Sequence, residues 1–289
     1  MDKIINPVTE KNFLCLGRSI RTNRYPDSSY DYLSNFPEPI SIDELWAEMD
    51  RVWIDCLLKN NSKYTNNFFA EYYTHPVWCL NSIFSSVDQA SIQHRNALIQ
   101  AISRLQIPVI ADMGGGYGVF VQLLKEKLPE VSTILCEPYL DEKIELQLKK
   151  KNIITRREIP RNADGYVFLD VLEHIQNPIN YLHQIIISSK ANSYFIFGNC
   201  FHPVIKCHLP STFYLRRTFR VAALLLGLTK VSNVKGAEYI QIYKRTSSCS
   251  MSPKIVVGIT KILCFIIAPF SLTLAIARKI KRITKIIVR

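Results

Sequence analysis

The chain has no CxxC pair, although it carries eight cysteines: Cys15, Cys56, Cys79, Cys136, Cys200, Cys207, Cys249 and Cys264. Cysteines scattered in this way signal neither a zinc knuckle nor a thioredoxin-like redox site. Several stand in apolar runs, where a thiol behaves as a small hydrophobe, and the set implies a reducing, cytoplasmic setting. Residues 1–21 carry charges throughout and lack a long apolar stretch, so no signal peptide is expected there. Asp and Glu are missing from residues 254–289, which hold Lys254, Lys261, Arg278, Lys279, Lys281, Arg282, Lys285 and Arg289. That stretch supplies eight of the net +12, which leaves the rest of the chain at +4, from 28 basic and 24 acidic residues. A core of such ordinary charge argues against nucleic acid as a partner. No internal repeat is present, and 48% hydrophobic with 21% charged residues is the composition of a folded chain.

The length of 289 residues suits one α/β domain with additions. Residues 1–40 read as an irregular lead-in interrupted by Pro26, Pro37 and Pro39. Ser41 then precedes Asp43 and Glu44 and a helical pattern through Trp46, Met49, Val52, Trp53, Cys56 and Leu57. An aromatic-rich stretch follows at 68–84, and Asp88 or Ser91 caps a helix running to about Leu105. From there short apolar strands alternate with helices. The strands are expected at Val109–Met113, Thr133–Glu137, Ile153–Thr155, Tyr166–Val171, Tyr194–Gly198 and Tyr239–Tyr243, with helices near 118–128, 141–151, 178–189 and 213–226. Single helices between strands imply parallel βαβ units with right-handed crossovers. The expected organisation is an N-terminal helical cap or lid at 1–94, an α/β domain at 95–245, a polar linker at 246–253 and the basic apolar tail at 254–289.

The glycine-rich turn in VIADMGGGYGVFVQLL (109–124) carries the most information. Asp112 lies near the end of an apolar strand, and Gly114, Gly116 and Gly118 follow in the spacing D-x-G-x-G-x-G, with Gly115 as an extra. Glycines let backbone turn sharply and approach a ligand closely. The dinucleotide pattern G-x-G-x-x-G fails, because its third glycine falls on Val119 or Val121, and no P-loop Lys-Ser/Thr follows. An acid ahead of the glycines suits a cationic ligand better than a pyrophosphate. Glu137 ends the next strand, where a carboxylate can accept from both hydroxyls of a ribose. Asp170, Glu173 and His174 sit at the carboxyl end of the fourth strand, where ligands bind in open α/β sheets.

These motifs in this order, with the D-x-x-E-H turn DVLEH at 170–174, resemble the class I S-adenosylmethionine-dependent methyltransferase family over about 150 residues. The resemblance implies a Rossmann-like, seven-stranded, mostly parallel sheet whose last strand is antiparallel, closed by a hairpin at 227–245. It implies S-adenosyl-L-methionine as cofactor, held by Asp112, Gly114, Gly116, Gly118, Glu137 and Asp170. The family places an acidic or polar residue on the adenine after the third strand; both Glu158 and Asp164 are candidates here. The HPVW segment at 75–78, with HR at 94–95, also resembles methyltransferases of bacterial surface-polysaccharide or lipid-linked sugar synthesis.

Methyl transfer to a hydroxyl profits from a general base. The candidates are His174, which in the family is often structural, and His202 and His208 on the long loop after the fifth strand. No metal is expected, because the sequence shows no compact cluster of acids and histidines around them. The aromatics at 71–84 are expected in the core of the helical layer, in a lid over the substrate, or both. Residues 255–277 are long enough to span a bilayer, but Lys261 and Pro269 interrupt them and both flanks are basic. The mixed segment 277–289 suits an interfacial helix on an anionic membrane surface. Monotopic or peripheral attachment on the cytoplasmic side is therefore expected, with a single span second and helices packed on the domain third. The expected function is O-methylation of a lipid-linked or lipid-like acceptor, such as a glycan intermediate. A soluble or quinone-like small-molecule acceptor is the alternative, and a non-catalytic scaffold of the same fold is the reading from another class.

Overall fold

The computed structural model describes residues 12–21, 24–246 and 251–267. Parts of the expected linker (247–250) and tail (268–289) lie outside the described residues, as do Pro269 and the segment 277–289. The lead-in is more regular than its prolines suggest. Strands β1 (Asn12–Cys15) and β2 (Arg18–Arg21) form an antiparallel hairpin. Leu16 and Gly17, both with positive φ (50° and 71°), make its two-residue turn. The short helix α1 (Tyr30–Leu33) follows.

Four helices then build a layer: α2 (Ile42–Lys59), α3 (Asn66–Thr74), α4 (Val77–Val87) and α5 (Gln89–Arg104). Ser41 starts α2 with a full capping box, its hydroxyl accepting from Glu44 N–H and the Glu44 carboxylate accepting from Ser41 N–H. Asp88, not Ser91, caps α5, accepting from Ser91 N–H at 2.7 Å. Trp53 packs edge-on against Phe68 and Tyr72, with centroids 4.6 and 4.9 Å away, and all three are fully buried.

The α/β unit runs β3 (Val109–Met113), α6 (Val119–Lys127), β4 (Ser132–Cys136), α7 (Glu142–Lys150), β5 (Ile154–Arg156), β6 (Gly165–Leu169), α8 (Pro178–Ser188), β7 (Tyr194–Gly198), α9 (Leu215–Leu225), β8 (Leu228–Val234) and β9 (Ala237–Arg245). The seven-stranded sheet has the order β5-β4-β3-β6-β7-β9-β8. The pairings from β5 to β7 are parallel, and β9 is antiparallel to both β7 and β8. Each expected strand forms within a residue or two of its expected bounds; β8, part of the expected closing hairpin, completes the seven.

Strand alternation divides the core in two. Ile110, Leu135, Val167 and Ile196 point to the side covered by α2–α7, whereas Ala111, Cys136, Tyr166, Phe168 and Phe197 point to α8 and α9. The chain adds strands outward from β3 to β5 and then returns to place β6 on the other side of β3. This reversal opens a crevice at the carboxyl ends of β3 and β6, the place where open α/β sheets take ligands. Residues 253–267 are helical; Val256 and Thr260 are buried against the domain, while Ile262 and Phe265 are exposed at 63% and 83%. Among the described residues no helix is long and apolar enough to cross a membrane.

Candidate active site

A cavity of about 620 Å³ fills that crevice. Its floor is the carboxyl edge of β3, β4 and β6, and its far wall comes from the helical layer, with Trp46, Tyr73, Trp78, Phe84, His94 and Arg95. The volume suits a sizeable small-molecule ligand.

The glycine loop earns each of its glycines by geometry. Gly114, Gly116 and Gly118 all have positive φ, at 66°, 54° and 74°. Gly115 has an ordinary φ, but a Cβ there would lie 2.1 Å from Asp112 Oδ2 and 2.7 Å from Leu135 Cδ1. Around Gly116 a Cβ would meet nothing within 4 Å, so this turn of backbone faces open space. Glu137 secures the loop: one carboxylate oxygen accepts from Gly116 N–H at 3.0 Å and the other from Tyr139 N–H at 3.1 Å. Each oxygen keeps a second lone pair directed elsewhere.

Asp112 is buried, and its Oδ2 has no hydrogen-bond partner. Burial pushes its carboxyl up to about 7, against the pull of the Arg95 guanidinium. Asp170, at the end of β6, is also pushed up by burial and pulled down by Arg95. It takes a left-handed conformation (φ 53°) that its backbone N–H supports by donating to Gly198 C=O at 2.8 Å. Arg95 thus acts on both the buried Asp112 and Asp170, which is exposed to the cavity, and its own Nε is buried and unpartnered. A lone arginine on a polar helix reads as a solvated charge. Its spacing to the buried Leu98, Ile99 and Ile102 is the signal that it belongs to the inner stripe of α5.

The turn after β6 is tied to the turn after β7. Asn199 Oδ1 accepts from the N–H groups of Val171 (3.1 Å) and Leu172 (2.8 Å), and Glu173 Oε1 accepts from Cys200 N–H at 2.6 Å. Glu173 C=O accepts from Leu209 N–H at 2.9 Å, which draws the long loop back across this turn. His174 and His208 consequently meet with ring centroids 5.0 Å apart, and both line the cavity. Burial, with His208 beside it, lowers the His174 imidazolium to about 3, and burial lowers that of His208 too, so both rings are neutral near pH 7. The ring of His202 lies outside the cavity lining; its carbonyl instead hydrogen-bonds His208 Nδ1 at 2.7 Å. Among the described residues, Glu173, His174 and His208 place one ligand-capable atom each within 4.8 Å of one another. Sequence spacing shows no such cluster, since the loop alone brings His208 to the DVLEH turn.

Asp112, Gly114, Gly116, Glu137 and Asp170 line one cavity, as does Gly115, whereas Gly118 acts as the left-handed N-cap of α6. Neither acidic candidate for the adenine lines it. Asp164 precedes β6, at the opposite edge of the sheet, and pairs with Lys190 at 2.7 Å; Glu158 is exposed. Pro138, Tyr139, Ile175 and Tyr181 line the cavity near Glu137 and offer an apolar surface to a planar ring. The aromatics of the helical layer divide: Phe68 and Tyr72 are core, while Tyr73 and Trp78 line the cavity with their polar atoms buried and unpartnered.

No protein-family model matches the chain. No curated protein matches it either. Among solved structures it is similar to PigF with SAH, at 14% identity over 70% of this chain and 69% of that one, with a TM-score of 0.48. It is also similar to LaPhzM (18% identity, 69% and 70% covered, TM-score 0.47). Human N-acetylserotonin methyltransferase in complex with SAM is a third (14% identity, 71% and 67% covered, TM-score 0.47). By its strand order, its antiparallel β9, and its glycine loop and Glu137 at the ends of β3 and β4, the chain has the fold of the class I S-adenosylmethionine-dependent methyltransferases.

Proposed function

We propose that the protein is an S-adenosylmethionine-dependent methyltransferase acting on a hydroxyl of a lipid-linked or lipid-like acceptor at a membrane surface. Buried polar atoms without partners support the donor most directly. Asp112 Oδ2 and Arg95 Nε are both orphaned beside a glycine loop that faces open space. The zwitterionic methionyl end of S-adenosylmethionine satisfies both, its ammonium on Asp112 and its carboxylate toward Arg95. Glu137 has lone pairs left for two ribose hydroxyls, and Pro138, Tyr139 and Tyr181 suit the adenine. A pyrophosphate suits the site poorly, because Asp112, Glu137 and Asp170 would repel it.

When bound, the donor supplies a methyl group on positively charged sulfur, which leaves as a neutral thioether as the methyl carbon bonds to the acceptor oxygen. The chain's own residues do the rest. Tyr73, Trp78 and Phe84 keep water from the reacting atoms. His174 and His208 are neutral, with Nδ1 of each hydrogen-bonded to a carbonyl and Nε2 left as the lone pair; His208 is the better proton acceptor, because burial makes His174 a weak base. The exposed Ile255, Ile262, Phe265 and Ile266 support a membrane-surface acceptor, together with the exposed Arg216, Arg217 and Arg220 of α9. The aromatic wall supports a second reading, a flat, soluble acceptor enclosed in the cavity.

Calorimetric titration of the full chain with S-adenosylhomocysteine tests the donor. Micromolar binding lost in Glu137→Ala is expected; a folded protein that binds nothing overturns the reading. Flotation with vesicles containing anionic lipid, comparing the protein with an Ile262→Asp/Phe265→Asp variant, tests the surface. Equal flotation of the two rejects these residues as its membrane contact.

A further inference from the structure

We propose that Glu173, His174 and His208 bind one divalent first-row transition-metal ion of the zinc type at the edge of the donor cavity. The inference deepens the methyltransferase reading, since the ion would act on the acceptor hydroxyl. One potential ligand atom from each residue already lies within 4.8 Å of the other two. A tetrahedral ion with bonds of about 2.0–2.1 Å needs ligand atoms roughly 3.4 Å apart, so the set must draw in by about 1 Å to close around it.

The hydrogen bonds around the three residues prepare them as ligands. His174 Nδ1 pairs with Cys207 C=O at 3.1 Å and His208 Nδ1 with His202 C=O at 2.7 Å. A carbonyl only accepts, so both Nδ1 atoms carry the proton and both Nε2 atoms are left as lone-pair donors. Ligating histidines are held in this way, by a backbone or carboxylate partner on the other ring nitrogen. Glu173 is fully buried; its Oε1 is fixed by Cys200 N–H, and its Oε2 is buried with no hydrogen-bond partner.

The donor set selects the ion. Two imidazoles and one carboxylate suit zinc and its first-row neighbours, while magnesium and calcium prefer an all-oxygen shell. Three protein ligands leave a coordination position open, and His174 and His208 both line the cavity. An oxygen held there loses its proton more readily. With both Nε2 lone pairs on the ion the histidines would no longer act as bases, and the acceptor hydroxyl would instead reach the methyl group as a metal-bound alkoxide or phenoxide, its proton released to solvent.

Full-length protein stripped with a chelator and dialysed is titrated with zinc chloride, then with magnesium chloride. One zinc per chain is expected, with magnesium at least about 100-fold weaker. His208→Ala and Glu173→Gln should each weaken zinc about 100-fold or more while S-adenosylhomocysteine binding stays within about threefold. X-ray absorption on the wild-type zinc form should show a nitrogen and oxygen shell with two imidazoles, which decides the matter even where a variant fails to fold. No stoichiometric zinc, a sulfur shell from Cys200 or Cys207, or variants that bind zinc as wild type does each overturn the proposal. Zinc bound through two imidazoles with no S-adenosylhomocysteine binding would keep the metal site and overturn the donor reading instead.

Discussion

Asp112→Asn separates what the donor site costs the fold from what it does for the ligand. In the folded protein burial pushes the Asp112 carboxyl up to about 7, from its ordinary value of 3.8. A rise of that size corresponds to about 4 kcal/mol against the ionised form. The sign follows from linkage. The folded state holds this proton more tightly than the unfolded chain, so the group's contribution to stability is complete below about pH 4. It falls away as the pH rises toward 7 and is absent above that. At pH 8 the unliganded protein therefore carries a buried, poorly compensated carboxylate, and asparagine removes the charge at nearly constant shape. Asp112→Asn should be more stable than wild type at pH 8, by up to about 4 kcal/mol, and the melting temperature should rise by several degrees. At pH 5 the advantage should shrink, because the wild-type carboxyl is then mostly protonated. The same substitution removes the acceptor of the ligand's ammonium and should weaken S-adenosylhomocysteine binding about 10- to 100-fold. Melting curves at both pH values and calorimetry at pH 8 measure the two effects. A variant less stable than wild type at pH 8, or one that binds the ligand undiminished, would refute the reasoning.

Three further outcomes are expected. Arg95→Met keeps the apolar stem but removes the charge that acts on both Asp112 and Asp170; it should weaken S-adenosylhomocysteine about tenfold or more, measured by calorimetry. Gly115→Ala places a methyl 2.1 Å from Asp112 Oδ2 and 2.7 Å from Leu135 Cδ1. It should lower stability by about 1–3 kcal/mol in urea unfolding, although φ there is ordinary. Trp78→Ala opens the cavity wall beside His174, and should raise the KM for the acceptor in a methyl-transfer assay while leaving donor affinity within about threefold.

The local signals were readable because they follow chain spacing. Strand and helix periods put β3–β7 in order, and the D-x-G-x-G-x-G run marked a turn whose glycines take positive φ at three positions. Ser41 with Glu44 announced the start of α2 in the same way. The LG turn of the first hairpin was missed because proline-rich surroundings outweigh a two-residue signal. The identity of a residue also left Asp164 open as an adenine ligand; its place at the amino end of β6 sends it to the wrong edge of the sheet.

The sequence by itself determined which elements form, where the loop over the donor lies and which acids precede it, because those depend on residues a few positions apart. Only the tertiary structure decided that Arg95 from the helical layer shares one cavity with Asp112 and Asp170, and that Tyr73 and Trp78 face the cavity while Phe68 and Tyr72 do not. It alone brought His208 to Glu173 and His174, through Asn199 and the hydrogen bonds that fold one loop onto another. Those placements arise from side chains distant in sequence that share one desolvated crevice, where each buried polar atom must find its partner across the fold.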